Sequence, residues 1–180
     1  MNKEETLILN LKNPLTQERA FIELMSLYKE RLYWHIRRIV LNHDDADDVL
    51  QNTFIKVYKN IDSFKEESKL YSWIYRIATN ESITFINNRA KENHLDIADL
   101  HDKMANELYN DPLFEGDEIQ LMLQKAIATL PQKQQIVFKM KYFEEMKYQA
   151  MSEILDTSVG ALKASYYHAV KKIEEIISSH

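Results

Sequence analysis

Five side chains near the middle of the chain have the types and spacing to hold a nucleic-acid base. In the stretch from Phe64 to Lys91, FKEESKLYSWIYRIATNESITFINNRAK, a charged loop leads into one helix. Trp73, Arg76, Asn80, Thr84 and Asn87 fall near one stripe of that helix. Ile74, Ala78 and Phe85 fall on another, so the helix has an apolar back and a front of ring, cation and amides. Rings stack on bases, amides read base edges, and a guanidinium meets phosphate or base. The same residues also fit a core tryptophan and a fraying helix end, and this stretch alone leaves both readings open.

Chemistry of other kinds finds no support. There is no H-E-x-x-H, no glycine-rich phosphate loop and no cysteine nucleophile. Glu144 and Glu145 are adjacent, so on a helix they point different ways and are poorly placed for joint acid–base work. His35, His43, His94, His101, His168 and His180 are scattered without metal-ligand spacing. The acids between Asp44 and Asp48 lack the alternate spacing and turn glycine of a calcium loop. The expectation is a protein that is not an enzyme and takes no cofactor and no small-molecule substrate.

Composition bounds the elements that must position these residues. The 180 residues include 2 glycines and 3 prolines, too few for a fold of many tight turns. Nearly every segment shows helical periodicity, which predicts an all-α protein. The absence of cysteine excludes disulfides and thiolate metal sites and fits a reducing cytosol. No apolar run approaches a membrane span, and the first thirteen residues carry acids where a signal peptide needs cations. The net charge of −5 is uneven: residues 96–124 hold 8 acids and 1 base, whereas residues 1–95 hold 14 of each. One acidic segment therefore sets the whole negative balance.

In chain order, PLTQER (14–19) opens a helix with Thr16 as its expected cap. Phe21, Leu24, Tyr28, Leu32, Ile36, Ile39 and Val40 then recur at helical spacing, with Arg31, Arg37 and Arg38 read as a solvated basic side. His43-Asp44-Asp45 breaks and caps the chain, and a helix from about Ala46 to Ile61 buries Leu50, Phe54, Val57 and Ile61. Asp47, Asp48, Gln51, Asn52, Ile55 and Lys56 are left outside. Dipole capping accounts for two of the acids, and the surplus beside Gln51 and an outward Ile55 suits either docking to a basic partner or plain solvation. Residues 92–120 read as an acidic linker with short helical turns. Leu121, Leu123, Ile127 and Leu130 begin a second domain, and Pro131 breaks and reopens the helix. A helix from about Lys147 to Leu155, a turn at Asp156-Thr157-Ser158 and a second helix capped by Ser158 make a helix-turn-helix pattern. Lys163, Ala164, Tyr167 and His168 face away from the stripe of Leu162, Tyr166, Ala169, Ile173 and Ile177. An ordinary helical hairpin remains the alternative.

Two blocks together resemble the extracytoplasmic-function (ECF) sigma factors, the small promoter-specificity subunits of bacterial RNA polymerase. DDADDVLQNTFIKVYKNIDSFKEESKLYSWIYRIATNESITFINNR (44–89) is similar to the family's region two. LPQKQQIVFKMKYFEEMKYQAMSEILDTSVGALKASYYHAVKKIEE (130–175) is similar to its region four. The resemblance implies an all-α chain of two small helical domains: residues 1–91, which dock on core polymerase and melt the −10 element, and residues 121–180, which read −35, joined by the acidic linker 92–120. It implies that Asp45, Asp48, Gln51, Asn52 and Ile55 dock on the polymerase. It assigns −10 capture to Phe64, Lys65, Tyr71, Trp73, Tyr75, Arg76, Thr79 and Asn80. For −35 it implies Lys141, Ser158, Lys163, Ala164, Tyr167 and His168. One departure stands out: Ala164, Ser165, Tyr166, Tyr167 and His168 occupy a helix where relatives often carry arginines, so bidentate Arg–guanine contacts are absent there.

The implied partners are core RNA polymerase, promoter DNA and, as for many members, an anti-sigma factor. The implied location is the cytoplasm. The competing reading is a stand-alone helix-turn-helix regulator whose N-terminal domain senses a ligand or dimerises. That reading predicts tight DNA binding without polymerase and leaves the acidic face without a task.

Overall fold

The computed structural model describes residues 1–180 and contains only helices and connecting turns. The nine α-helices are α1 (Lys3–Lys12), α2 (Gln17–Val40), α3 (His43–Asn60), α4 (Leu70–Glu92), α5 (Ile97–Glu107), α6 (Glu118–Ala128), α7 (Gln132–Tyr142), α8 (Tyr148–Leu155) and α9 (Val159–Ser178). Short 3-10 turns follow α3 and α5, at Ile61–Ser63 and Leu108–Asn110.

Most boundaries have a local cause. Asn42 caps α3, its side chain accepting from Asp45 N, while Asp44 and Asp45 sit in the first turn where the helix dipole favours acids. Asp96, Asp117 and Ser158 cap α5, α6 and α9 in the same way. Thr16 precedes α2 but makes no side-chain cap, because its hydroxyl donates to Asn10 O instead. Pro131 stands at the start of α7, where its missing N–H costs nothing. Asp156 ends α8 in the left-handed region at φ 50°. α1, on the first thirteen residues, is an element that the sequence reading did not assign. It is closed by a capping box between Asn2 and Glu5 and buries Leu7, Ile8 and Leu11.

α2, α3 and α4 pack on one another with α1 against α2, while α9 packs on α6, α7 and α8. These two groups share one continuous apolar core. A single cluster runs from Leu24, Ile36 and Ile74 through Val137, Met140, Met151 and Ile154 to Leu162. The segment 92–120 is folded down: Leu100, Met104 and Leu108 pack with Ile39, Leu41 and Ile86. Arg37, read from the sequence as solvated, is buried and donates to Asp111 Oδ2 at 2.7 Å. The cation needed an internal carboxylate, and the acidic segment supplies one.

Candidate nucleic-acid interface

α9 builds the clearer of two candidate DNA faces. Leu162, Ala169 and Ile173 are buried, which turns Lys163, Ala164, Tyr167 and His168 outward in one row. Tyr167 is 56 % exposed. Ser158 accepts from Ala161 N and fixes the helix start. Lys141 donates to Met146 O at 3.0 Å, which ties α7 to the loop before α8. Its ammonium also lies 4.4 Å from the centre of the Tyr148 ring, and Lys163 approaches the same ring at 5.7 Å. Lys171 lies over Tyr167 at 5.2 Å. The result is a set of lysines braced on tyrosine rings, suited to phosphate contact rather than bidentate base reading. Tyr148 and Lys171 belong to it and were missed as site residues, because only the fold brings Tyr148 under two cations.

The second face, on α4, is split by burial. Lys65 and Asn80 are exposed, and Tyr71, Trp73 and Arg76 are half-buried. Phe64, Tyr75 and Thr79 are buried, Tyr75 at 2 % and Thr79 at 1 % exposure. Phe64 packs on Trp73, with ring centres 5.2 Å apart, and Tyr71 stacks on Tyr75 at 4.2 Å. Arg31 lies 5.1 Å from the Tyr71 ring centre. Burial pushes the Tyr71 and Tyr75 phenols above their ordinary pKa, so both stay neutral donors.

What covers this face is α8 with the turns on either side of it, together with His35 of α2. Ser72 Oγ donates to Glu153 Oε2 at 2.6 Å, and Arg76 lies 3.8 Å from Asp156. His35 sits on α2 with one ring nitrogen 2.8 Å from Thr79 Oγ1 and the other 2.7 Å from Glu144 Oε1. Thr79 also donates to Tyr75 O within its own helix. A cleft of about 380 Å³ remains at the seam, where Arg76 and Asn80 face Gln132, Lys133 and Asp156.

α3 presents the remaining residues. Asp48, Gln51, Asn52 and Ile55 are exposed, and their side chains make no hydrogen bond or ion pair within the chain. Asp45 differs: it is half-buried and paired with Arg89 of α4, an internal tie between two helices. Beside Ile55 lies a groove of about 550 Å³ between α2 and α3, lined by Phe21, Ile22, Met25, Phe54 and Tyr58. Ile22, Ile55 and Tyr58 are exposed apolar side chains in one patch. The sequence showed Ile55 as the outward apolar residue of this set. Ile22, at i,i+3 spacing from Met25, could have signalled the rest.

Comparison with known proteins agrees with this architecture. Residues 24–92 match the model of sigma-70 region 2, and residues 120–173 match that of sigma-70 region 4. The ECF RNA polymerase sigma factor SigW of Bacillus subtilis is 32 % identical over 153 residues, covering 80 % of this chain and 81 % of SigW. The ECF RNA polymerase sigma-E factor of Haemophilus influenzae is 28 % identical, covering 89 % of this chain and 88 % of that protein. Among solved structures, CnrH in complex with the cytosolic domain of CnrY superposes with a TM-score of 0.69 at 18 % identity, over 99 % of each chain. The sigma factor RpoE of Bartonella quintana, solved with the anti-sigma factor NepR, gives 0.65 at 20 % identity, over 88 % of this chain and 96 % of that one. Two sigma-region matches in order, and a relative this similar across most of both chains, place the protein in a family: it belongs to the ECF sigma factors of RNA polymerase.

Proposed function

We propose that the chain directs promoter-specific initiation by docking on core RNA polymerase through α3 and reading DNA with α9 and α4, without chemistry of its own. The observation that carries this is the exposed row Asp48, Gln51, Asn52 and Ile55, whose side chains have no partner in the chain, continuous with the apolar groove of Ile22 and Tyr58. A stand-alone regulator could use the groove to dimerise but leaves the acidic row Asp48, Gln51 and Asn52 without a task. Acids and amides around an apolar centre suit a basic, amphipathic helical partner.

α9 contributes duplex binding at −35 through Lys163, Tyr167 and His168, with Lys141 and Ser158 supporting the start of the hairpin and Ala164 leaving room for the DNA backbone. α4 contributes −10 capture: Trp73 and Tyr71 offer stacking, Arg76 and Lys65 meet phosphate, and Asn80 reads an edge. Extruding bases costs stacking and pairing, which pockets and rings offset. Phe64 shapes the loop from beneath. Tyr75 and Thr79 stay packed against His35 of α2 and support the face from beneath, while Ser72 and Arg76 become free when α8 leaves α4, so full capture at −10 follows separation of the two halves. Two modest DNA contacts tethered through one polymerase reinforce each other by effective concentration.

Gel filtration of the purified chain with core polymerase tests the docking. The wild type is expected to co-elute, and an Asp48→Arg/Gln51→Ala double variant to elute separately. If the wild type stays apart from core yet binds duplex DNA tightly alone, the stand-alone regulator replaces this reading.

A further inference from the structure

α1 lies outside the residues that match sigma-70 region 2, yet it reaches the loop that precedes α4. Leu7, Ile8 and Leu11 anchor it in the core. From that anchor Lys12 extends over residues 64–66. Its ammonium donates to Phe64 O at 2.7 Å, lies 3.3 Å from Glu66 Oε1, and sits 5.6 Å from the centre of the Phe64 ring. Glu66 holds φ 61°, a left-handed conformation unfavourable for a glutamate. The loop therefore keeps a strained shape, and Lys12 is the cation that binds the strained residue's own carboxylate and the carbonyl two residues before it.

The other end of α1 serves α4 directly. Lys69 stands at the N-cap position of α4 and supplies no side-chain cap. Glu4 Oε1 takes that role from a distance, accepting from Leu70 N at 3.3 Å. A carboxylate there also suits the positive end of the helix dipole. α1 thus fixes both the loop and the first turn of the helix that carries Tyr71, Trp73 and Arg76. Lys65, Glu66 and Glu67 are meanwhile left facing outward.

We infer that α1 is a working part of −10 recognition: Lys12 and Glu4 are positioning residues that hold the loop 64–69 and the start of α4 in the shape that discriminates between bases. This rests on the proposed assignment of α4 to the −10 element. A bare stabilising role would lower activity on every promoter alike. A positioning role changes the ratio between promoters, because a loosened loop accepts wrong bases as readily as right ones.

The test is run-off transcription by holoenzyme assembled from core polymerase and the full chain, on templates with each −10 base randomised. The wild type is expected to show a base preference. Lys12→Ala is expected to flatten it about tenfold at the affected position, the size of one charge-assisted hydrogen bond, with co-elution on core unchanged. Lys12→Arg, which keeps charge and donors, is expected to restore it. Glu66→Ala removes one arm of the brace at an exposed site, keeps the assay usable should Lys12→Ala fail to fold, and is expected to flatten preference about twofold. An unchanged preference in Lys12→Ala and Glu66→Ala, or uniform loss across all templates, overturns the inference while leaving the assignment of α4 intact. A wild-type holoenzyme indifferent to −10 sequence removes that assignment itself.

Discussion

Lys139 shows how burial of a single residue couples stability to pH. It lies on α7 at 4 % exposure and forms no ion pair. Burial pulls its pKa down to about 7. The unfolded chain binds that proton near pH 10.5, so between about pH 7 and 10.5 the unfolded state holds the extra proton. Stability is therefore full above this window and is lost as pH falls through it, with an upper bound of about 5 kcal/mol. His101 acts in the same direction lower down. Burial and nearby Lys139 depress it to about 4, and its Nε2 has no partner. Thermal melts from pH 6 to 9.5 are expected to show the midpoint rising with pH, and Lys139→Met to flatten that rise and raise the midpoint at pH 7. An equal slope in Lys139→Met contradicts the assignment. None of this was legible in the sequence, because a lysine at a buried register looks like any other until its neighbours are known. Arg37 misled for the same reason: its partner Asp111 stands 74 residues away.

At the scale of elements the sequence was far more informative. The hairpin of α8 and α9, its turn at Asp156 to Ser158 and the buried register of Leu162, Ala169 and Ile173 follow from local periodicity and capping, and the structure has them there. The core stripe of α3 at Leu50, Phe54 and Val57 was equally plain. α1 escaped because its acid-rich opening was weighed as a failed signal peptide, although Leu7, Ile8 and Leu11 already had helical spacing. In the segment 92–120, an 11-residue helix capped by Asp96 lies inside what read as linker, because the partners of its apolar residues lie on α2, α4 and α6, which only the fold brings together. For α9 itself, Lys163→Ala is expected to weaken binding to a −35 duplex uniformly across sequences and to reduce the salt slope by about one. Tyr167→Ala should instead alter sequence preference. Binding isotherms at several salt concentrations separate the two, and a Lys163→Ala effect confined to one sequence would move Lys163 from phosphate to base.

The whole molecule shows what no local pattern could. The two matched regions lie against each other, with α8 packed along α4. His35 links Thr79 of one half to Glu144 of the other, and Ser72 reaches Glu153. These contacts join residues 44 to 109 positions apart, so the sequence carried the partners without the pairing. These polar contacts rim an apolar core that the two halves share, so opening the seam requires a partner that binds the separated halves more tightly than they bind each other. Docking on core and opening of the seam are thus two parts of one account.

One distance measurement tests that account most directly. The chain has no cysteine, so Asn88→Cys on α4 and Glu174→Cys on α9, both at exposed positions, accept a pair of dyes with no background labelling. Energy transfer between them is expected to be high for the free chain, to fall on addition of core polymerase, and to stay high with core when Asp48→Arg/Gln51→Ala is introduced. Transfer that remains high in a holoenzyme transcribing from its promoter would contradict the account, since α4 would then be reading DNA with α8 still upon it.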